Sequence, residues 1–108
     1  MSQDYSIELS AERAVLRGVM RLHSAEAYDE ALTQVRQAID AASGPYTLDF
    51  SQVVFLNSSG IRGLAGLVIA AKERRRVILI IGNASVAWQV RTLPSFQALD
   101  PTLTVTLV

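Results

Sequence analysis

Two adjacent serines, an asparagine and a glycine stand in the run Leu56-Asn57-Ser58-Ser59-Gly60-Ile61. They follow the apolar residues Val53 to Leu56 and precede the helical pattern Ile61 to Ala71. At such a strand-to-helix junction, Asn57 or Ser58 can cap the helix with its side-chain oxygen. The same place suits a second chemistry. A phosphate on Ser58 would meet free backbone N–H groups and the positive end of the helix dipole. A phosphoserine carries about −1.5 to −2 charges near neutral pH, so the fold would accept it while a partner packed there would meet a hydrated dianion. Desolvating that dianion without a cation costs several kcal/mol, enough to change binding by orders of magnitude. Arg62, one helical turn after Ser58, can pair with the phosphate.

Other chemistries lack their residues. The one histidine, His23, is distant in sequence from Ser58, and no G-x-S-x-G elbow surrounds the serine. No other base for a serine nucleophile is evident. There is no cysteine and no metal-ligand spacing, so neither a catalytic nor a metal site is assigned. A phosphate-binding G-x-x-x-x-G-K-[ST] loop is also absent, and no cofactor is expected. Aromatics make up 6% of the chain and are scattered, which offers no stacking platform for nucleic acid. Apolar runs stay far below the ~20 residues of a membrane span, and the polar start Met1-Ser2-Gln3-Asp4 lacks a secretory signal pattern. A cytoplasmic protein that is not an enzyme is the expectation.

The elements that must position the turn come from periodicity. With 108 residues, half of them hydrophobic, the chain suffices for one domain over residues 1–108. Tyr5–Leu9 and Ala14–Leu22 read as a hairpin, with Gly18 marking a bulge or bend. Ser24 can cap one helix whose stripe is Ala27, Tyr28, Ala31, Val35, Ala38, Ile39 and Ala42, ended by Gly44-Pro45. Tyr46–Phe50 is a strand, followed by the run Val53–Leu56. A helix from about Ser58 to Arg74 comes next, and Gly63 and Gly66 within it imply close packing against a sheet or a partner. Val77–Ile81 has the pattern of a strand buried on both faces. Ser85 can cap a helix reaching Leu93, with Val86, Trp88 and Val90 on its apolar side, and Thr102–Val108 alternates as a last strand. Strands alternating with helices predict an α/β domain with a mostly parallel sheet of four to five strands.

Charge is uneven within a net of zero. Residues 1–50 hold eight acids and four arginines (net −4), and residues 51–108 hold two acids, five arginines and one lysine (net +4). The cluster Lys72-Glu73-Arg74-Arg75-Arg76 either attracts an acidic partner or offsets a helix dipole at its C-terminus.

Read whole, Leu48 to Ile61 resembles the signature of the STAS domain family, which includes the bacterial anti-sigma factor antagonists. The family pattern is an apolar strand, an acidic-apolar-Ser step, then Asp-Ser-Ser/Thr-Gly-Leu opening a helix. Residues 5–108 follow the family's element order. The resemblance implies a single STAS-like domain in which Ser58 is phosphorylated and Ser59 is a neighbouring capping hydroxyl. It further implies a partner serine kinase/anti-sigma factor of the HATPase type, released by phosphorylation, and a PP2C-type phosphatase that resets the switch. Asn57, Ser59, Gly60 and Arg62 are then neighbours of the phosphosite, with Ile61, Gly63 and Gly66 on the partner-binding helix. Three positions depart from the pattern: Asn57 replaces Asp, Arg21 stands where an acid follows Gly18, and Arg62 replaces a small or apolar residue. The alternative is a constitutive interaction module of the same fold, such as a scaffold or an ABC transporter accessory subunit, with Ser58 only a helix cap.

Overall fold

A computed structural model describes residues 4–108; the first three residues of the polar start lie outside the described residues. The strands are β1 (Tyr5–Leu9), β2 (Arg13–Met20), β3 (Tyr46–Leu56), β4 (Ile78–Gly82) and β5 (Thr104–Leu107). The helices are α1 (Ala25–Ala31), α2 (Thr33–Ala41), α3 (Ser58–Glu73) and α4 (Ala87–Thr92), the last running into a 3-10 turn over Leu93–Ala98. The sheet order is β1-β2-β3-β4-β5, with β1 antiparallel to β2 and the other pairs parallel. The α/β class, the hairpin and the mostly parallel sheet are thus as the periodicity predicts.

Register assigns the two faces. Ala14, Leu48, Ile80 and Val105 lie across from one another, as do Tyr46 and Ile78, and all pack into the core. The intervening residues Val15, Asp49, Ile81 and Thr106 form the opposite face, which no buried helical residue covers. Each crossover steps the same way across the sheet, so crossovers of one hand deliver every helix to one side. Hence β4 is not buried on both faces. Ile78 and Ile80 are buried, whereas Leu79 and Ile81 are half-exposed on the helix-free side.

Three other expectations change. The helix after Ser24 is two helices, broken at Leu32 (φ −95°, ψ 3°). There the Thr33 hydroxyl donates to the Asp29 carbonyl at 2.8 Å, a back-bond that competes with the helical ladder. The stripe survives the break because buried Leu32 continues it between Tyr28 and Val35. Second, the two apolar stretches between Tyr46 and Leu56 are one strand of 11 residues. Third, β2 ends at Met20 rather than Leu22. Gly18 does mark a bulge: its φ is +99°, the register slips between it and Val19, and a Cβ would strike the Asp4 carbonyl oxygen.

The basic cluster closes α3. Arg74 pairs with Asp40 at 2.7 Å, and Arg76 donates to the Ala42 carbonyl at 3.2 Å. Arg75 turns the chain at φ +58°, a left-handed C-terminal position usually given to glycine. The Arg76 N–H returns to the Ala71 carbonyl at 2.8 Å, completing the cap.

Candidate functional site

The Asn-Ser-Ser-Gly turn sits where β3 leaves the sheet. Met20 and Leu56 are the last paired residues of β2 and β3, and the Asn57 N–H donates to the Met20 carbonyl at 3.4 Å. Asn57 is extended (φ −79°, ψ 175°) and is the N-cap of α3. Its Oδ1 accepts from the Gly60 N–H at 2.9 Å and from the Tyr28 hydroxyl at 2.7 Å. Its Nδ2 donates to the Leu22 carbonyl at 2.9 Å. The Tyr28 hydroxyl in turn accepts from the Leu22 N–H at 3.2 Å. One asparagine therefore ties together the chain leaving β2, the buried ring of α1 and the start of α3. Burial raises the Tyr28 hydroxyl above its ordinary pKa; the Leu22 N–H pulls the other way, and Tyr5 adds a smaller upward push.

Ser58 is the first residue of α3 and is exposed. No described residue forms a hydrogen bond with its hydroxyl. Ser59, half-buried behind it, also makes none, so the capping role the resemblance implied for Ser59 belongs to Asn57. Of the two capping candidates read from the residues, Asn57 is the cap and Ser58 is left free. His23 is exposed and forms no hydrogen bond with Ser58.

The neighbours divide into buried and open. Gly60 is buried, and a Cβ there would strike Leu56 and come within 2.8 Å of the Tyr28 ring. Gly63 is buried too, with a virtual Cβ 2.7 Å from Tyr28 Cβ, so α1 already fills the space beside it. Gly66 is different: nothing lies within 4 Å of a Cβ placed there. Ile61 is half-buried against the core, and Arg62 is exposed. Neither Arg62 nor Arg21 takes part in the ion pairs among the described residues, which join Arg17 to Glu8, Arg36 to Asp29 and Arg74 to Asp40. Arg21 instead lies over the Phe55 ring, 5.2 Å from its centroid. Val54 is 64% exposed and Phe55 41% exposed, so the end of β3 leading into the turn carries two exposed apolar side chains, one of them under Arg21.

Side chains from α4 hold the last half of β3 in place. Pairing with β4 stops at Asp49–Ile81. Beyond it, Gln89 Nε2 donates to the Phe50 and Val53 carbonyls at 2.6 and 2.9 Å, and Trp88 Nε1 donates to the Val53 carbonyl at 2.9 Å. Gln89 Oε1 accepts from the Asn83 N–H at 2.7 Å. This buried glutamine was not singled out from the sequence, and its polar type at a core position of a short helix is the only local signal of its role. The residues read there differ as well: Val86, not Ser85, occupies the N-cap, and Val90 is exposed.

Among the described residues, no cluster of three or more His, Asp or Glu side chains could hold a metal, and no helix is long and apolar enough to cross a membrane.

No family model matches this sequence, and no curated protein matches it. The fold, however, has solved counterparts. One is the Bacillus cell fate determinant SpoIIAA in its phosphorylated form, at 18% identity and a TM-score of 0.58, with 94% of this chain and 90% of that one covered. Another is the anti-sigma factor antagonist SpoIIAA in its unphosphorylated form, at 20% identity and a TM-score of 0.58, with coverage of 94% and 87%. The chain has the STAS fold of these structures.

Proposed function

We propose that this chain is a regulatory binding protein of the anti-sigma factor antagonist kind, switched by phosphorylation of Ser58. The observation that carries the reading is the division of labour at the turn. Asn57 supplies the helix cap, so the Ser58 hydroxyl is exposed at the first position of α3 and engaged by no other described group. A serine needed as a cap could not be modified without loss of the helix start; this one can. The SpoIIAA fold, solved in phosphorylated and unphosphorylated forms, supports it.

The partner is a serine kinase/anti-sigma factor of the HATPase type, met in the cytoplasm. Its ATP γ-phosphoryl would pass to Ser58 Oγ, the hydroxyl proton leaving to a base on the kinase and ADP departing. A PP2C-type phosphatase would hydrolyse the ester and reset the switch. Ile61 and Gly66 on α3 would lie under the bound partner, whereas Gly63 is filled by Tyr28 from within. On phosphorylation, Arg62 one turn on and the free N–H groups of the helix start would hold the dianion.

The test is intact-mass analysis after incubation with ATP and the kinase encoded nearby. One phosphate should appear on the wild type and none on Ser58→Ala. A wild type that stays unmodified beside an active kinase sinks the switch, and a phosphate that survives Ser58→Ala sinks the site. The neutral Asn57 and the cationic Arg21 and Arg62 favour, as a second reading, a constitutive interaction module. Partner capture unchanged by Ser58→Asp would support that reading.

A further inference from the structure

The sheet has two edges, and they are built differently. The β1 edge is preceded by exposed Asp4 and carries exposed Glu8, which is paired with Arg17. Charges of this kind discourage pairing with another strand. The other edge is β5. From Thr102 to Val108 the chain reads Thr-Leu-Thr-Val-Thr-Leu-Val, without a charge or a proline. Although β5 is short, it carries neither of the charged and proline guards common on edge strands, and its β-branched residues favour extended pairing.

The hydrogen bonds show which backbone groups are free. The Val108 N–H donates to the Gly82 carbonyl at 2.9 Å, and the Val108 carbonyl accepts from the Ala84 N–H at 2.8 Å. Val108 therefore turns its backbone toward the β4 side. Successive residues of a strand point their backbone groups to opposite sides, so Thr106 and Thr104 also face β4. Val105 and Leu107 face away. Their two N–H and two C=O groups form an open row that no described residue occupies.

That row is complementary to itself. In an antiparallel pair, residues that exchange both hydrogen bonds alternate with residues that exchange none. Setting Val105 of one copy against Leu107 of another, and Leu107 against Val105, makes four hydrogen bonds about a two-fold axis. Thr106 then faces Thr106 as the intervening non-hydrogen-bonded pair on the helix-free side, a favourable cross-strand combination. Thr104 faces Val108, whose side chain is 68% exposed in the single chain. On the core side, Val105 and Leu107 extend the apolar layer from copy to copy. No charge opposes a like charge anywhere in this register.

We propose that two copies of this chain associate through antiparallel pairing of β5, forming one continuous ten-stranded sheet. The interface is isologous, so it closes on the dimer and leaves the two β1 edges outermost. Because β3 and β5 are parallel within each copy, the two Ser58 turns point in opposite directions, and each remains open to its own partner.

Sedimentation velocity on the full chain at roughly 100 µM tests this, a concentration at which micromolar association is populated. The expected mass is twice the 11.7 kDa of one chain. Val105→Pro deletes an N–H from the free edge and none from the β4 ladder, so it should give a folded monomer. Thr106→Lys sets two like charges across the axis and should weaken association by roughly tenfold or more. Since the chain has no cysteine, Thr106→Cys introduces a single thiol facing its own copy, within reach of a disulfide. It should cross-link on mild oxidation, whereas Thr104→Cys, opposite Val108, should not. Circular dichroism confirms folding; should Val105→Pro not fold, the exposed Thr106 variants carry the test. A monomeric wild type overturns the proposal, as does a dimer whose dissociation constant, read from a concentration series, is unchanged by Thr106→Lys. Equal cross-linking of the two cysteine variants overturns the register.

Discussion

Replacing Asn57 with alanine removes three side-chain hydrogen bonds at the meeting point of β2, α1 and α3. The lost cap on the Gly60 N–H costs about 1 kcal/mol. The Tyr28 hydroxyl keeps the bond it accepts from Leu22 but loses its acceptor; on a ring only 1% exposed, a stranded donor costs about 1–2 kcal/mol. The Leu22 carbonyl is half-buried, so water offsets part of its loss and adds less than about 1 kcal/mol. The sum is about 2–4 kcal/mol, a large share of the roughly 5–15 kcal/mol that holds a domain folded. At about 4–8 °C per kcal/mol for a domain near this size, the midpoint should fall by roughly 8–32 °C. Urea titration followed by circular dichroism measures the loss, with an unchanged slope as the control for a change in stability alone. The companion variant is Asn57→Asp. It keeps both acceptor roles and gains about 0.3–1 kcal/mol from the helix dipole. It also sets a carboxylate oxygen against the Leu22 carbonyl in place of a donor, so a net loss of about 1–2 kcal/mol is expected. A cost below about 1 kcal/mol for the alanine variant, or an aspartate variant more stable than wild type, would refute the role given to the Leu22 contact. A double-mutant cycle with Tyr28→Phe should show coupling of about 0.5 kcal/mol or more.

Two further predictions use the same measurements. Gly66→Ala, with nothing within 4 Å of the added carbon, should stabilise the protein by about 0.5–1 kcal/mol through helix propensity. Gly63→Ala places the same carbon 2.7 Å from Tyr28 Cβ, and an overpacking cost of about 1–3 kcal/mol should outweigh that gain. If both substitutions act alike, the packing of α1 on α3 is misread. Stability should also fall in alkali. Burial raises the Tyr28 and Tyr46 hydroxyls above the ordinary 10.0, so the folded chain holds these protons more tightly than the unfolded one. Their contribution is complete below the unfolded pKa and disappears as pH rises through the folded values. The urea midpoint should therefore drop above about pH 10, less steeply in Tyr28→Phe and Tyr46→Phe. A midpoint that rises over that range contradicts the assignment.

How much of this was legible in the sequence follows the range of the forces. Periods of 2 and 3.6 expose a buried face directly, so the hairpin, the parallel strands and α3 could be read from residues alone. The break at Leu32 could not, because the stripe of apolar residues crosses it undisturbed while a single threonine hydroxyl bends the backbone. Nor could the full length of β3, whose second half is bonded by Gln89 and Trp88 from more than 30 residues away. Gly63 and Gly66 look equivalent in the chain; only the position of Tyr28 makes one a contact and leaves the other open. The same long-range fact decides the turn. Asparagine and serine both cap helices, and nothing local selects between Asn57 and Ser58.

The selection comes from reach and from the number of groups each side chain offers. Three groups converge at the N-cap: the Gly60 N–H and the Tyr28 hydroxyl, which need an acceptor, and the Leu22 carbonyl, which needs a donor. A carboxylate offers only acceptors, and a serine hydroxyl has one proton on a shorter stem. The asparagine amide meets all three at 2.7–2.9 Å. The uncharged residue at this position is therefore tied to the chain leaving β2, and Leu22 and Asn57 should be understood as one unit. By completing the helix start without help from its neighbour, that unit leaves Ser58 outward, exposed and free to be modified. A partner reading this turn would meet Ser58 with exposed Arg62 one helical turn on, so adding a phosphate there would reverse the local charge. An acidic docking surface would lose its attraction at that step even before steric exclusion acts.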